Sequence, residues 1–67
     1  MITYKIDVLT ELNKKGYPPI RLRKDKLLGE KAMQSIRHEE MIGMKVLNTV
    51  CMLLDAQPGD IIEYKKD

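Results

Sequence analysis

Residues 20–38, IRLRKDKLLGEKAMQSIRH, constrain the fold more than any other stretch of the chain. They read as two short helices joined by a tight turn. In the second, Ala32, Met33 and Ile36 fall at i, i+1 and i+4 and make one apolar stripe. Glu30, Lys31, Gln34, Ser35 and His38 share the opposite side. Such a helix has to lay its stripe on a core that the rest of the chain supplies. With 67 residues the chain forms one domain, expected to span 1–67. A domain of this size buries only about 60% of its unfolded surface, so its stability margin is narrow. A lone cysteine, Cys51, rules out an intrachain disulfide and a Cys-rich zinc site, and suggests a reducing compartment. Without Phe or Trp the core must come from Leu, Ile, Val, Met and a few Tyr.

Around this centre the chain changes period several times. Residues 2–5, ITYK, alternate apolar and polar in β-favouring types and read as a short strand. Val8, Leu9 and Leu12 make a helical face, with Asp7 at its start and Gly16 placed to end it. Tyr17-Pro18-Pro19 connects to a second helix over 19–25, in which Ile20 or Leu22 points inward. Residues 26–29, KLLG, form the turn, with Leu27 and Leu28 as a buried pair and Gly29 as N-cap or permissive backbone. A third helix runs over 30–37, and Glu39–Gly43 is a loop. A fourth helix over 44–54 faces the core through Leu47, Val50, Cys51 and Leu54. Gln57-Pro58-Gly59-Asp60 reads as a turn, and Ile61, Ile62 and Tyr64 as a second strand or extended tail ending in the charged Lys65-Lys66-Asp67. The fold class is therefore mainly α: a compact helix-turn-helix bundle of four to five short helices with short terminal β-strands. The two strands can pair as a ribbon whose open edges accept a second copy, or can simply tie the termini together.

The charge is unevenly spread. Residues 14–38 hold eight basic and two acidic residues, a formal +6, and the remainder a formal −4, within a whole-chain charge of +2. Positive charge gathered onto a segment that presents a helix is the footprint of a nucleic-acid binder. No apolar run reaches the roughly 20 residues of a membrane span, and the N-terminus lacks the pattern of a signal peptide, so a cytoplasmic location away from membranes is expected.

Enzyme chemistry finds no foothold. His38 has no nucleophile nearby in sequence. The glycines at 16, 29, 43 and 59 make no phosphate cradle, and His38-Glu39-Glu40 lacks metal-ligand spacing. No catalytic residue, metal, cofactor or small-molecule ligand is expected. Cys51 and the five methionines read as core residues. A helix-turn-helix offers a different chemistry, because a helix fits the major groove of B-DNA and its first turns reach base edges. Lys31 suits guanine O6 or N7, Gln34 an adenine N6 and N7, Ser35 either a donor or an acceptor, and Glu30 the N4 amine of cytosine. Arg21, Arg23, Lys24, Arg37, His38 and Lys45 are candidates for phosphate. The alternative for any one of these charges is a solvated helix face.

These residues resemble the small helix-turn-helix transcriptional regulators of the Xre/Cro type, related to phage repressors. The resemblance rests on YKIDVL, RLRKDKLLGE, AMQSIRHEE and CMLLDAQPGDIIEY and covers nearly the whole chain. It implies binding to double-stranded DNA, often as a homodimer on a two-fold-related operator, with the base-reading positions on Glu30, Lys31 and Ser35 and Gln34 beside them. The chain departs from the pattern where Arg23 replaces a small residue and Leu27 a turn glycine. These departures imply a turn built differently, with Leu27 packed inward and Arg23 led out to solvent. Two functions stay open. One is a sequence-specific DNA-binding transcriptional regulator acting by operator occupancy. The other is an interaction module of the same fold, an antitoxin or anti-repressor, that binds a partner protein.

Overall fold

A computed structural model describes residues 1–66; Asp67, the end of the charged tail, lies outside the described residues. Seven elements follow in order: β1 (Ile2–Tyr4), α1 (Val8–Lys14), α2 (Pro19–Lys24), α3 (Glu30–Arg37), α4 (Met44–Leu54), α5 (Pro58–Ile61) and β2 (Ile62–Tyr64). The strands form an antiparallel ribbon in which Ile2 faces Tyr64, Thr3 faces Glu63 and Tyr4 faces Ile62.

Local chemistry explains where each helix starts. The Asp7 carboxylate caps α1, accepting from the Thr10 N–H at 3.3 Å. Pro19 opens α2 at the position where a missing N–H costs nothing. Gly29 and Gly43 stand at the N-caps of α3 and α4. The helix ends share a device. After α1, the Tyr17 N–H donates to the Leu12 carbonyl at 2.8 Å and the Gly16 N–H to Asn13 at 3.1 Å, with Gly16 left-handed at φ 92°. This is the Schellman arrangement, and it recurs after α2 (Leu27 to Leu22, 2.9 Å; Lys26 to Arg23, 3.1 Å) and after α3 (Glu40 to Ser35, 2.7 Å; Glu39 to Ile36, 3.1 Å).

The core is one cluster of Val8, Leu12, Leu22, Leu28, Met33, Ile36, Val50, Leu54 and Ile61. Fully burying a Leu, Ile or Met of this kind stabilises by about 1.5–3 kcal/mol, so these side chains decide how α1, α3, α4 and α5 come together. The expected third-helix stripe holds: Met33 and Ile36 are buried and Ala32 is half-buried. Leu22 is the inward residue of α2, and Ile20 is 75% exposed.

The turn follows expectation: Leu27 packs against the core and Arg23 is exposed. The left-handed residue between α2 and α3 is Lys26 (φ 55°). Two expectations need correction. Pro58–Ile61 is a helical turn rather than a plain turn. The Asp60 carboxylate accepts from the Gln57 N–H at 3.0 Å and closes a capping box, which rotates Ile61 out of the strand and into the core. Methionine is not the core filler: Met33 is buried, but Met1, Met41, Met44 and Met52 are exposed, Met44 by 86%.

Candidate nucleic-acid interface

Placing the apolar stripe of α3 on the core leaves the other face outward. Glu30, Lys31 and Gln34 are exposed, while Ser35 is half-buried on the flank of the stripe. The helix has eight residues and is therefore about 12 Å long, comparable to the width of the B-DNA major groove. Arg37 and His38 extend the same helix at its C-terminal end, both exposed, with His38 as the C-cap. Lys45 is exposed in the first turn of α4 and Lys24 at the end of α2.

Two of the candidate phosphate ligands are engaged within the protein. The Arg21 guanidinium lies 4.7 Å over the Tyr17 ring, donates Nη1–H to the Gly16 carbonyl at 2.7 Å, and pairs through Nε with Asp25 at 3.3 Å. It staples the α1–α2 connector. Arg23 meets Glu30 across the turn: its Nε lies 2.9 Å from Oε2, and its Nη2–H donates to Oε1 at 3.3 Å. Among the described residues the remaining ion pair is Lys14 with Glu11, so Lys24, Lys26, Lys31, Arg37 and Lys45 carry no carboxylate partner. Their charge is available to an outside anion.

Sequence reasoning missed Lys26. It forms the left-handed corner of the turn and, with Arg23, Leu28, Gly29 and Glu30, lines a shallow concavity of about 330 Å³ at the start of α3. Its place between the two helix signatures was the available clue. Tyr17 was likewise read only as connector, although it carries the Arg21 stack.

A second feature lies at the other end of α3. The Tyr4 hydroxyl donates to the Glu40 carbonyl at 2.8 Å and so ties β1 to the turn that ends α3. Burial, and then the nearby Glu39 carboxylate, raise the pKa of Tyr4 above its ordinary value. Among the described residues no group of three or more His, Cys, Asp or Glu side chains could hold a metal ion. No helix among them is long and apolar enough to cross a membrane.

The sequence that builds this arrangement, a cationic connector helix, a tight left-handed corner and a second helix with an exposed polar face, matches a known family model over residues 5–67. The chain belongs to the Cro/C1-type helix-turn-helix DNA-binding domains. Searches of curated proteins and of solved structures give no significant match. Binding of DNA by a regulator is the general role of the family. The resemblance read from RLRKDKLLGE and AMQSIRHEE therefore identified the family correctly.

Proposed function

We propose that this Cro/C1-type domain is a sequence-specific regulator of transcription that acts by occupying an operator in duplex DNA, with residues 1–67 forming one DNA-binding unit. The observation that carries the reading is the division of α3: Met33 and Ile36 seal one side to the core while Lys31 and Gln34 stand free on the other. In this reading α3 enters the major groove. Lys31 and Gln34 meet base edges near its centre, Glu30 meets them at its start, and Ser35 contributes from the flank. Lys24, Lys26, Arg37, His38 and Lys45 engage phosphates, as do any donors of Arg21 left over from its internal contacts. The protein would act as a homodimer joined through its terminal strands, which present an open edge along β1.

Selection of bound sequences from a random duplex pool tests this reading and reveals any two-fold symmetry of the site. Affinity measured against salt tests the electrostatic part. About five phosphate contacts give a log–log slope near −4 to −5.

One observation favours a second reading, an interaction module that binds a partner protein. Exposed Ile2, Met41 and Met44 surround an apolar groove of about 180 Å³ between the ribbon and the start of α4. A salt response close to zero and no enriched sequence would favour that reading.

A further inference from the structure

The contact between Arg23 and Glu30 joins the two helices of the motif at the point where α3 begins. Glu30 is the first residue of α3, and Arg23 lies near the end of α2. Nε is 2.9 Å from one carboxylate oxygen and Nη2 is 3.3 Å from the other. Both side chains are about half exposed, 49% for Arg23 and 57% for Glu30. An ion pair this open to water adds little to stability, so its placement calls for a different explanation. Beside it the backbone is bare: a Cβ added to Gly29 would meet nothing within 4 Å, which leaves open space at the start of the helix.

A bare carboxylate at that place works against DNA binding, because phosphates repel it. Paired with a guanidinium, the carboxylate keeps acceptor capacity while its charge is cancelled locally. A carboxylate has roughly four lone-pair directions, and Arg23 engages only part of them. Pairing also removes most of the side chain's freedom, so the remaining acceptors are held in one place.

We infer that Arg23 is a positioning residue for Glu30, and that the pair makes Glu30 a selector for a base bearing an exocyclic amine, cytosine before adenine. This rests on the reading of α3 as the groove-entering helix. Guanine and thymine offer acceptors on their major-groove edges and are rejected by a carboxylate. Adenine offers an amine beside an acceptor, N7, whereas cytosine offers its N4 amine alone. Arg23 then acts on sequence preference, through Glu30, rather than on phosphate affinity.

The test is selection of bound duplexes from a random pool with the wild type, Arg23→Gln, Glu30→Gln and the exchanged pair Arg23→Glu/Glu30→Arg, each with a thermal melt. The wild type should enrich cytosine at one position per half-site. Arg23→Gln should weaken that preference by about tenfold and leave the positions read by Lys31 and Gln34 unchanged. Glu30→Gln should move the preference towards adenine. The exchanged pair should keep the melting temperature and move the preference to guanine, an outcome that a merely structural ion pair would not produce. If Arg23→Gln weakens all sequences equally and keeps the cytosine, Arg23 is a phosphate contact and the inference falls. It falls also if the exchanged pair still selects cytosine, and this arm decides should Arg23→Gln melt below the assay temperature. A wild type that enriches no sequence at all would remove the DNA-reading role of α3 and this inference with it. A wild type that enriches a site with no amine preference removes the inference alone.

Discussion

In the proposed reading of DNA, Lys31 is the side chain whose role is simplest to test. It is exposed, pairs with no carboxylate among the described residues, and stands one residue into a helix whose far side is sealed. If it meets a guanine edge, Lys31→Ala should cost about 1–3 kcal/mol on the selected site and much less on unrelated duplex, read by competition binding at fixed salt. Equal losses on both would return it to the phosphate set. Tyr4 gives a prediction of another kind. Its hydroxyl bonds the Glu40 carbonyl, and burial raises its pKa above 10.0. The folded protein therefore holds this proton more tightly than the unfolded chain does. The stabilisation is complete below the ordinary tyrosine pKa and is lost as pH rises through the raised folded value. Urea titrations from neutral pH to above pH 10 should show an alkaline decline in the wild type. Tyr4→Phe should begin about 0.5–1.5 kcal/mol less stable at neutral pH and decline less steeply, because it lacks both the bond and the titration. Parallel declines in the two proteins would remove Tyr4 as the cause.

At the scale of elements, the starts of helices are more legible in the sequence than their ends. Asp7 caps through its own carboxylate, Pro19 lacks the N–H that the first turn leaves unpaired, and Gly29 and Gly43 are N-cap residue types, so residue type is enough to locate them. The ends depend on packing. Lys26, Glu39 and Asp55 are left-handed at φ 55°, 57° and 53°, although none is the glycine that marks such a place in a sequence. They are held there because Leu27 must return to the core, Glu40 must meet Tyr4, and the chain after α4 must turn towards α5. The cost is testable. Glu39→Gly and Asp55→Gly should each raise stability by about 0.5–1 kcal/mol, with Asp55 at the lower end because aspartate tolerates this region. That corresponds to a few degrees in melting temperature for a domain this small. Gly16→Ala, at φ 92°, should fall by a similar amount even though the nearest atom, Arg21 Nη1, is 3.8 Å from the added carbon. The candidate site divides in the same way. The outward face of α3 was legible because helical periodicity fixes which side a residue takes. The Arg23–Glu30 contact was not, since a pair seven residues apart across a turn depends on the angle between two helices. α5 was missed because Pro58-Gly59 reads as a turn until the reach of Asp60 back to Gln57 is weighed.

In the proposed dimer, the open edge of the ribbon is linked to α3. Reciprocal bonds between Met1 and Lys65 (2.6 and 2.8 Å) and the Lys5 N–H to Ile61 bond (2.8 Å) direct the backbone of residues 1, 3 and 5 towards β2. By the alternation of an antiparallel ladder, the N–H and C=O groups of Ile2 and Tyr4 then face away from it. A second copy adding antiparallel at this edge, centred on Thr3, brings Ile2 opposite Tyr4 of its mate, an apolar–aromatic cross-strand pair that sheets favour. Because Tyr4 also bonds Glu40, just beyond α3, such pairing would set the two α3 helices at one fixed separation. A two-fold dimer of this kind requires half-sites about 34 Å apart, one turn of DNA, or a multiple of it. Ile2→Lys should disrupt the proposed dimer without touching the core, since Ile2 is already 41% exposed and a lysine on a strand edge opposes pairing. Sedimentation should show the wild type at twice the mass of the variant. Affinity for a two-fold site should fall by far more than affinity for an isolated half-site, because only the former gains from the linkage of two helices. A variant that still binds the two-fold site with full affinity would move the dimer contact away from the ribbon, leaving the apolar groove beside Met41 and Met44 as the next face to alter.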